Sequence, residues 1–371
     1  MKLKTFLLIL LFLLSIQSSF AAITYSPEYG WRWSQLILKP TAKEQLTYCQ
    51  ELEGKKQYSE AIAHYKLLLK AYKTSEEATE AYNRIGELYM IQKKWNKAQK
   101  YYEDLLSQQI EETAKVIQTL NKKKSKKKKK DSKLSDQEKQ LMFSVLLRGL
   151  QKSGEKDKTN NPLLQIDITR IFTNLYTIAN AYIDGARYKL VGTVPLWKQK
   201  SKFLAVYSYI LLRAPNYEFC PIMQKTIALY KMEKKDYFGA VSEFKKLSYD
   251  YSLSPEAEDV SYYLGLCKQK SSKGPAYNQE NMDFAEANIK DYLLSQPNGK
   301  MVKQAKIVEL QIIDSRAENT LIKIKFFIRR KQWAAAKMYI DELIAKYPST
   351  TFATTAKKLA LKHEEISQIQ N

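Results

Sequence analysis

One spacing recurs through this chain and limits what it can fold into. An aromatic residue or Met is followed by Ala three positions on, by a bulky apolar residue at seven and by another at ten. The copies read Tyr58-Ala61-Tyr65-Leu68, Trp95-Ala98-Tyr102-Leu105, Tyr237-Ala240-Phe244-Leu247, Met282-Ala285-Ile289-Tyr292 and Trp333-Ala336-Ile340-Leu343. Offsets of 3, 7 and 10 stay on one face of an α-helix. The Ala belongs where a second helix axis comes close, and the aromatic fills the space beside it. A looser copy, Ala205-Tyr209-Leu212-Pro215, has Lys202 where the aromatic would stand.

A partner helix precedes two of these segments. Tyr82, Ile85, Gly86 and Tyr89 share one helical face; Gly86 stands twelve residues before Ala98, and Cys49 twelve before Ala61. Pro297 and Pro348 each stand twelve residues after their Ala, where proline stops a helix. Thr74 with Glu77 reads as a capping box, and Ser254 before Pro255 as an N-cap with proline at the first helical position. Gly (11) and Pro (10) are too scarce for the many tight turns of a β-sandwich or barrel. The layout is that of tetratricopeptide repeats (TPR). The predicted fold is all-α, a TPR-like α-solenoid: a right-handed superhelix of antiparallel helix pairs. Ala61, Gly86, Ala98, Ala240, Ala285, Pro297, Ala336 and Pro348 define its repeats. The Ala-to-Ala intervals are 37, 35, 45 and 51 residues, against about 34 for a standard repeat, so some loops or helices are extended. Each pair leaves an apolar face that only its neighbour can cover. Stacking makes the first helix of each pair line a concave surface, where Asn83, Glu87 and Met90 are expected to be exposed to a partner.

The first 21 residues read as a cleaved secretory signal. Lys2 and Lys4 precede an apolar run from Phe6 to Ile16, broken only by Ser15, and Ser19-Phe20-Ala21 supplies small residues for a cut after Ala21. Export to the periplasm follows. The first Cys is Cys49, so the sequence offers no lipid-attachment site next to the signal. Residues 22–41 form an arm with alternating aromatics, expected to be extended and packed on the first repeat. Repeats at 42–110 and 163–371 flank an insertion, 111–162. Within it, NKKKSKKKKKDSK (121–133) has nine Lys and one Asp and is expected to be a solvated loop; helix is expected at Ser135–Leu150 and a second loop at Gly154–Pro162. Lys122, Lys123, Lys124, Lys126, Lys127, Lys128, Lys129 and Lys130 are the candidates for electrostatic contact. With that segment's +8 and the two leader lysines set aside, the rest still carries +12 of the net +22. Anionic lipid or an acidic protein surface fits this balance; export argues against nucleic acid.

Catalytic chemistry has little to work with. His64 and His363 are the two histidines, far apart in sequence, and no phosphate loop, nucleophile elbow or HExxH is present. The expectation is a non-enzyme without metal or cofactor. Cys49, Cys220 and Cys267 read as buried apolar positions. Cys220 and Cys267 fall about 15 Å apart along parallel helices, beyond the roughly 7 Å that a disulfide allows.

From about Ile166 to Lys358 the chain resembles the BamD (YfiO-like) family of outer-membrane assembly lipoproteins. IANAYIDGARYKL (178–190) is similar to the helix that opens that family's second half. FAEANIKDYLLSQPNGKMVKQA (284–305) and FFIRRKQWAAAKMYIDELIAKYPSTTFATTA (326–356) also match, as does YSEAIAHYKLLLKAYKTSEEATEAYNRIGELY (58–89). The resemblance implies a periplasmic scaffold at the outer membrane that docks on β-barrel insertase subunits and contacts unfolded barrel proteins. The chain departs from the family in lacking the lipid-attachment Cys and in carrying the Lys-rich insertion, through which it could meet an anionic membrane. An envelope or division adaptor of the YbgF type is the alternative role.

Overall fold

A computed structural model of the chain describes residues 21–26, 30–35, 37–124, 162–185, 187–189, 195–198, 201–272, 274 and 279–370. The signal segment 1–20, Lys126–Lys130, Ser135–Leu150 and the loop 154–161 lie outside the described residues. The chain divides into two units, Met1–Pro215 and Asn216–Asn371. Antiparallel helix pairs of TPR type build each of them.

The first unit opens with the aromatic arm folded back on itself: β1 (Ala21–Ser26) pairs antiparallel with β2 (Gly30–Gln35), Ala21 facing Gln35. The arm is extended, as its alternation suggests, and β1 lies beside helix α2. The pairs that follow are α1 (Ala42–Gly54) with α2 (Tyr58–Ala71), α3 (Glu77–Ile91) with α4 (Trp95–Lys124), and α5 (Ile168–Ile183) with α6 (Lys202–Arg213). In the second unit α7 (Cys220–Glu233) pairs with α8 (Tyr237–Asp250), α9 (Val260–Ser271) with α10 (Gln279–Ser295), and α11 (Val302–Arg329) with α12 (Trp333–Lys346); α13 (Thr351–Gln370) closes the stack.

The repeat positions sit where the spacing puts them. Ala61, Ala98, Ala240, Ala285 and Ala336 have no exposed surface, and Tyr65, Phe244 and Tyr292 fill the space beside them. At Gly86 the Tyr102 ring lies where a side chain would begin, so only glycine lets α3 and α4 approach. Helices α10 and α12 end at Ser295 and Lys346, two residues before Pro297 and Pro348.

The looser copy needs a correction of one residue. Ala205 is exposed, whereas Phe203, Val206, Tyr207 and Ile210 are buried. Phe203 is the missing aromatic and Val206 takes the Ala position, 34 residues before Ala240, the standard repeat length. Lys202 instead donates to Asn96 Oδ1 at 2.8 Å.

Four further expectations change. The capping box at Thr74 and Glu77 does not form: α3 starts after Glu76 without a side-chain cap. Among the described residues Thr41, Asp167, Asp236 and Thr350 act as side-chain caps, each accepting a backbone N–H of the first turn. Ser254-Pro255 opens a three-residue 3-10 turn, Pro255–Ala257, and α9 begins only at Val260. Helix α4 runs 30 residues through Lys122, Lys123 and Lys124, past the boundary placed at 111 and into the expected loop. Lysine is a good helix former, and cations at a helix C-terminus oppose its dipole. The stretch 178–190 is helical only to Ile183; Asp184 and Gly185 turn the chain into a second hairpin, β3 (Arg187–Lys189) with β4 (Pro195–Lys198).

The intervals of 45 and 51 residues have separate causes. Between α8 and α10 the connections are long, with the 3-10 turn in one and residues 272–278 in the other. The second is a long helix. With 28 residues, α11 spans about 42 Å and serves two cores. Ala305, Val308 and Ile312 join the cluster built by α7 to α10, while Ala317, Leu321 and Ile324 join Ile340, Leu343 and Ala356 of α12 and α13.

Candidate interaction surfaces

In the first unit the row of first helices is stitched together by charge. Arg84 on α3 pairs with Glu53 on α1, its Nε donating at 3.2 Å, and with Glu87 at 2.6 Å. Glu87 also accepts from Arg170 on α5 at 2.5 Å, and Tyr65 donates to Glu53 at 2.6 Å. The Glu53 hydrogen bond holds the Arg84 guanidinium firmly charged, outweighing its partial burial. The turn Pro162–Gln165 lies on α3, where Thr79 Oγ1 donates to the Pro162 carbonyl at 3.2 Å. The three residues expected on an open groove are therefore differently placed. Asn83, Glu87 and Met90 are only half-exposed, and no residue from Glu77 to Met90 is fully exposed. Glu87 joins the ladder of ion pairs instead of waiting for a ligand.

A second device recurs that the sequence reading missed. Gln45 and Gln224 are buried, each sixteen residues before its repeat Ala. Gln45 Nε2 reaches the His64 carbonyl at 3.5 Å and its Nδ1 at 3.2 Å. Gln224 Nε2 donates to the Glu243 carbonyl at 3.1 Å and to its carboxylate at 2.7 Å. A glutamine on the first helix thus hooks the backbone of the second in both units. The only sequence signal is the shared offset from Ala.

These buried polar groups serve structure. Burial, and then the charge of Lys39, lower the His64 pKa, so the ring is neutral. Burial raises Glu243, but Lys231, Gln224 and Lys246 together hold it below the usual carboxylate value. Cys49, Cys220 and Cys267 are buried and form no disulfide among the described residues. Burial pushes Cys49 and Cys267 up to about 12, far from the thiolate that nucleophilic chemistry requires. Among the described residues no group of three or more His, Cys, Asp or Glu is placed to hold a metal ion, and no helix is long and apolar enough to cross a membrane.

The second unit leaves apolar surface uncovered. The last hairpin packs on the second half of α11, so nothing in the repeat logic covers the outer face of its first half. Ile307 and Leu310 there are 55% and 60% exposed, and Leu294 at the end of α10 is 83% exposed. A groove of about 540 Å³ opens between α12 and α13, lined by Trp333, Ile340, Ile344 and Leu361, with Lys337, Asp341 and Lys357 as its charged residues.

No protein-family model matches the chain, and no curated protein sequence matches it. Solved structures, TPR proteins among them, are similar to it. The TPR domain of P58(IPK) aligns over 85% of this chain and 76% of its own, at 11% identity and a TM-score of 0.33. PilW, a type IV pilus biogenesis factor, aligns over 86% and 99%, at 12% identity and a TM-score of 0.24. The C-terminal part of a TPR repeat-containing protein from Cytophaga hutchinsonii aligns over 84% and 98%, at 16% identity and a TM-score of 0.24.

Proposed function

We infer that this protein is a non-catalytic binding scaffold, exported to the periplasm, that holds another polypeptide against its helix pairs. One observation carries the reading: the uncovered face of α11 around Ile307 and Leu310. In a stack each apolar face is covered by the next pair. Here the next pair has moved along α11, and a partner helix or extended segment is what completes the layer. Burying two such side chains would stabilise a complex by about 1.5–3 kcal/mol each.

The resemblance of residues 58–89, 284–305 and 326–356 to the BamD family supports the finer role. In that role the chain docks on β-barrel insertase subunits, or on unfolded barrel segments, at the inner side of the outer membrane. In that role, residence at the membrane rests on the partner or on charge. The test is affinity capture from envelope extracts with the wild-type chain and with an Ile307→Asp/Leu310→Asp double variant. Insertase subunits should co-purify with the first and be lost with the second. Recovery of only peptidoglycan-associated or division proteins would replace barrel assembly by the adaptor role. Equal capture by both chains would remove α11 as the binding face.

A further inference from the structure

The end of the α11–α12 hairpin carries a charge pattern that the scaffold role does not use. From Asn319 to Ile340 the chain has no Asp or Glu. Six cations stand in that stretch, Lys323, Lys325, Arg329, Arg330, Lys331 and Lys337, and all are exposed. None lies within ion-pair distance of a carboxylate among the described residues. Glu364 and Glu365 follow on α13, and counting both against the tip still leaves it strongly positive.

Apolar groups sit among these cations. Phe326 is 42% exposed with the Arg330 guanidinium 4.8 Å from its ring centre. Ile322 and Met338 are exposed, and half-buried Trp333 forms one wall of the neighbouring groove. Lys331 takes a left-handed backbone conformation, φ 58°, at the apex of the turn. Because α11 passes from one core to the next, Val308 to Leu321, this tip is carried roughly 20 Å along the helix direction.

We propose that the α11–α12 tip is a peripheral docking site for a bilayer containing anionic lipid. The proposal goes beyond the scaffold reading and does not rest on it. Unpaired cations are drawn to anionic headgroups. Their long aliphatic stems, with Phe326 and Trp333, suit the boundary between headgroup and acyl chain. Six exposed cations spread over both helix ends of the turn, interleaved with exposed Ile322, Phe326 and Met338, suit a fluid surface that moulds to them.

The experiment is flotation of the full chain with vesicles of phosphatidylcholine alone and of phosphatidylcholine with phosphatidylglycerol, read as the ratio of the two partition coefficients. That ratio cancels whatever the apolar N-terminal segment contributes to both. The variant is Arg329→Gln/Arg330→Gln/Lys331→Gly. It touches only exposed positions, and because glycine suits the left-handed turn at Lys331 its melting midpoint should be no lower than that of wild type. The ratio should fall about fivefold per cation removed, on the order of a hundredfold in all. It should also fall for wild type between low and high salt. A chain lacking residues 122–130 should keep most of its preference for the anionic vesicles. Four results would overturn the proposal: no preference in wild type, an unchanged ratio in the triple variant, loss of the preference only on deleting 122–130, or retention on immobilised polyglutamate without vesicle binding.

Discussion

Gly86 shows how one side chain sets the distance between two helices. The Tyr102 ring occupies the space beside it, so Gly86→Ala should cost about 1–3 kcal/mol by overpacking. Adding Tyr102→Leu should recover part of the loss, measured by urea unfolding. The turn lysines are a second case. Lys56, Lys93, Lys235 and Lys331 all have φ between 54° and 61°, where glycine is the usual occupant. An L-residue there costs roughly 1–2 kcal/mol, and glycine returns part of that through the unfolded chain. Each Lys→Gly change should therefore stabilise by about 0.5–1 kcal/mol. His64 supplies a pH dependence. Its folded pKa is lowered by burial, so the unfolded chain binds the proton first. Its contribution is whole above pH ~6.5 and is lost as pH falls through that value toward the folded pKa. Among its neighbours, Tyr48 gives it a ring edge, 4.8 Å between centres, and Gln45 bonds Nδ1. In His64→Gln, the part of the stability lost between pH 7 and 5 that belongs to this ring should disappear from melting curves. The repeat Ala and Gly positions were legible because a close helix crossing admits little else. The glutamine hooks and left-handed lysines were not, because neither residue type announces that role.

At the scale of elements, the periodicity placed five second helices and left the sixth one residue out of register. Lys202 and Ala205 look plausible as pattern members, and only burial shows that Phe203 and Val206 point inward. Helix ends were less legible: the lengths of α4 and α11 depend on what lies alongside, and no local stop signal marks them. The long α11 leads to its own test. Ile312 belongs to the core of α7 to α10 and Ile324 to the core of α12 and α13. Each Ile→Ala change should destabilise by about 2–5 kcal/mol. Native-state hydrogen exchange should then accelerate amides of α9 and α10 most in Ile312→Ala, and those of α12 and α13 most in Ile324→Ala. Equal acceleration throughout the unit would mean that it unfolds as one block.

At the scale of the whole molecule, the repeat was readable at five of the six second helices, but the interaction surface was not. Spacing alone put Glu87 on an open face; the second arginine that claims it, Arg170, comes from a helix 83 residues further along the chain. Equally, the displacement that bares Ile307 and Leu310 appears in the sequence only as a long interval between two alanines. The central claim is that the chain works by holding a polypeptide on a helix face its own repeats leave uncovered. Site-specific photo-crosslinking in intact cells tests this most directly, with the crosslinker placed in turn at Leu310 and at Met90. A discrete crosslinked polypeptide from Leu310, absent from Met90, is the expected result; crosslinks from Met90 alone, or none from Leu310, would contradict it.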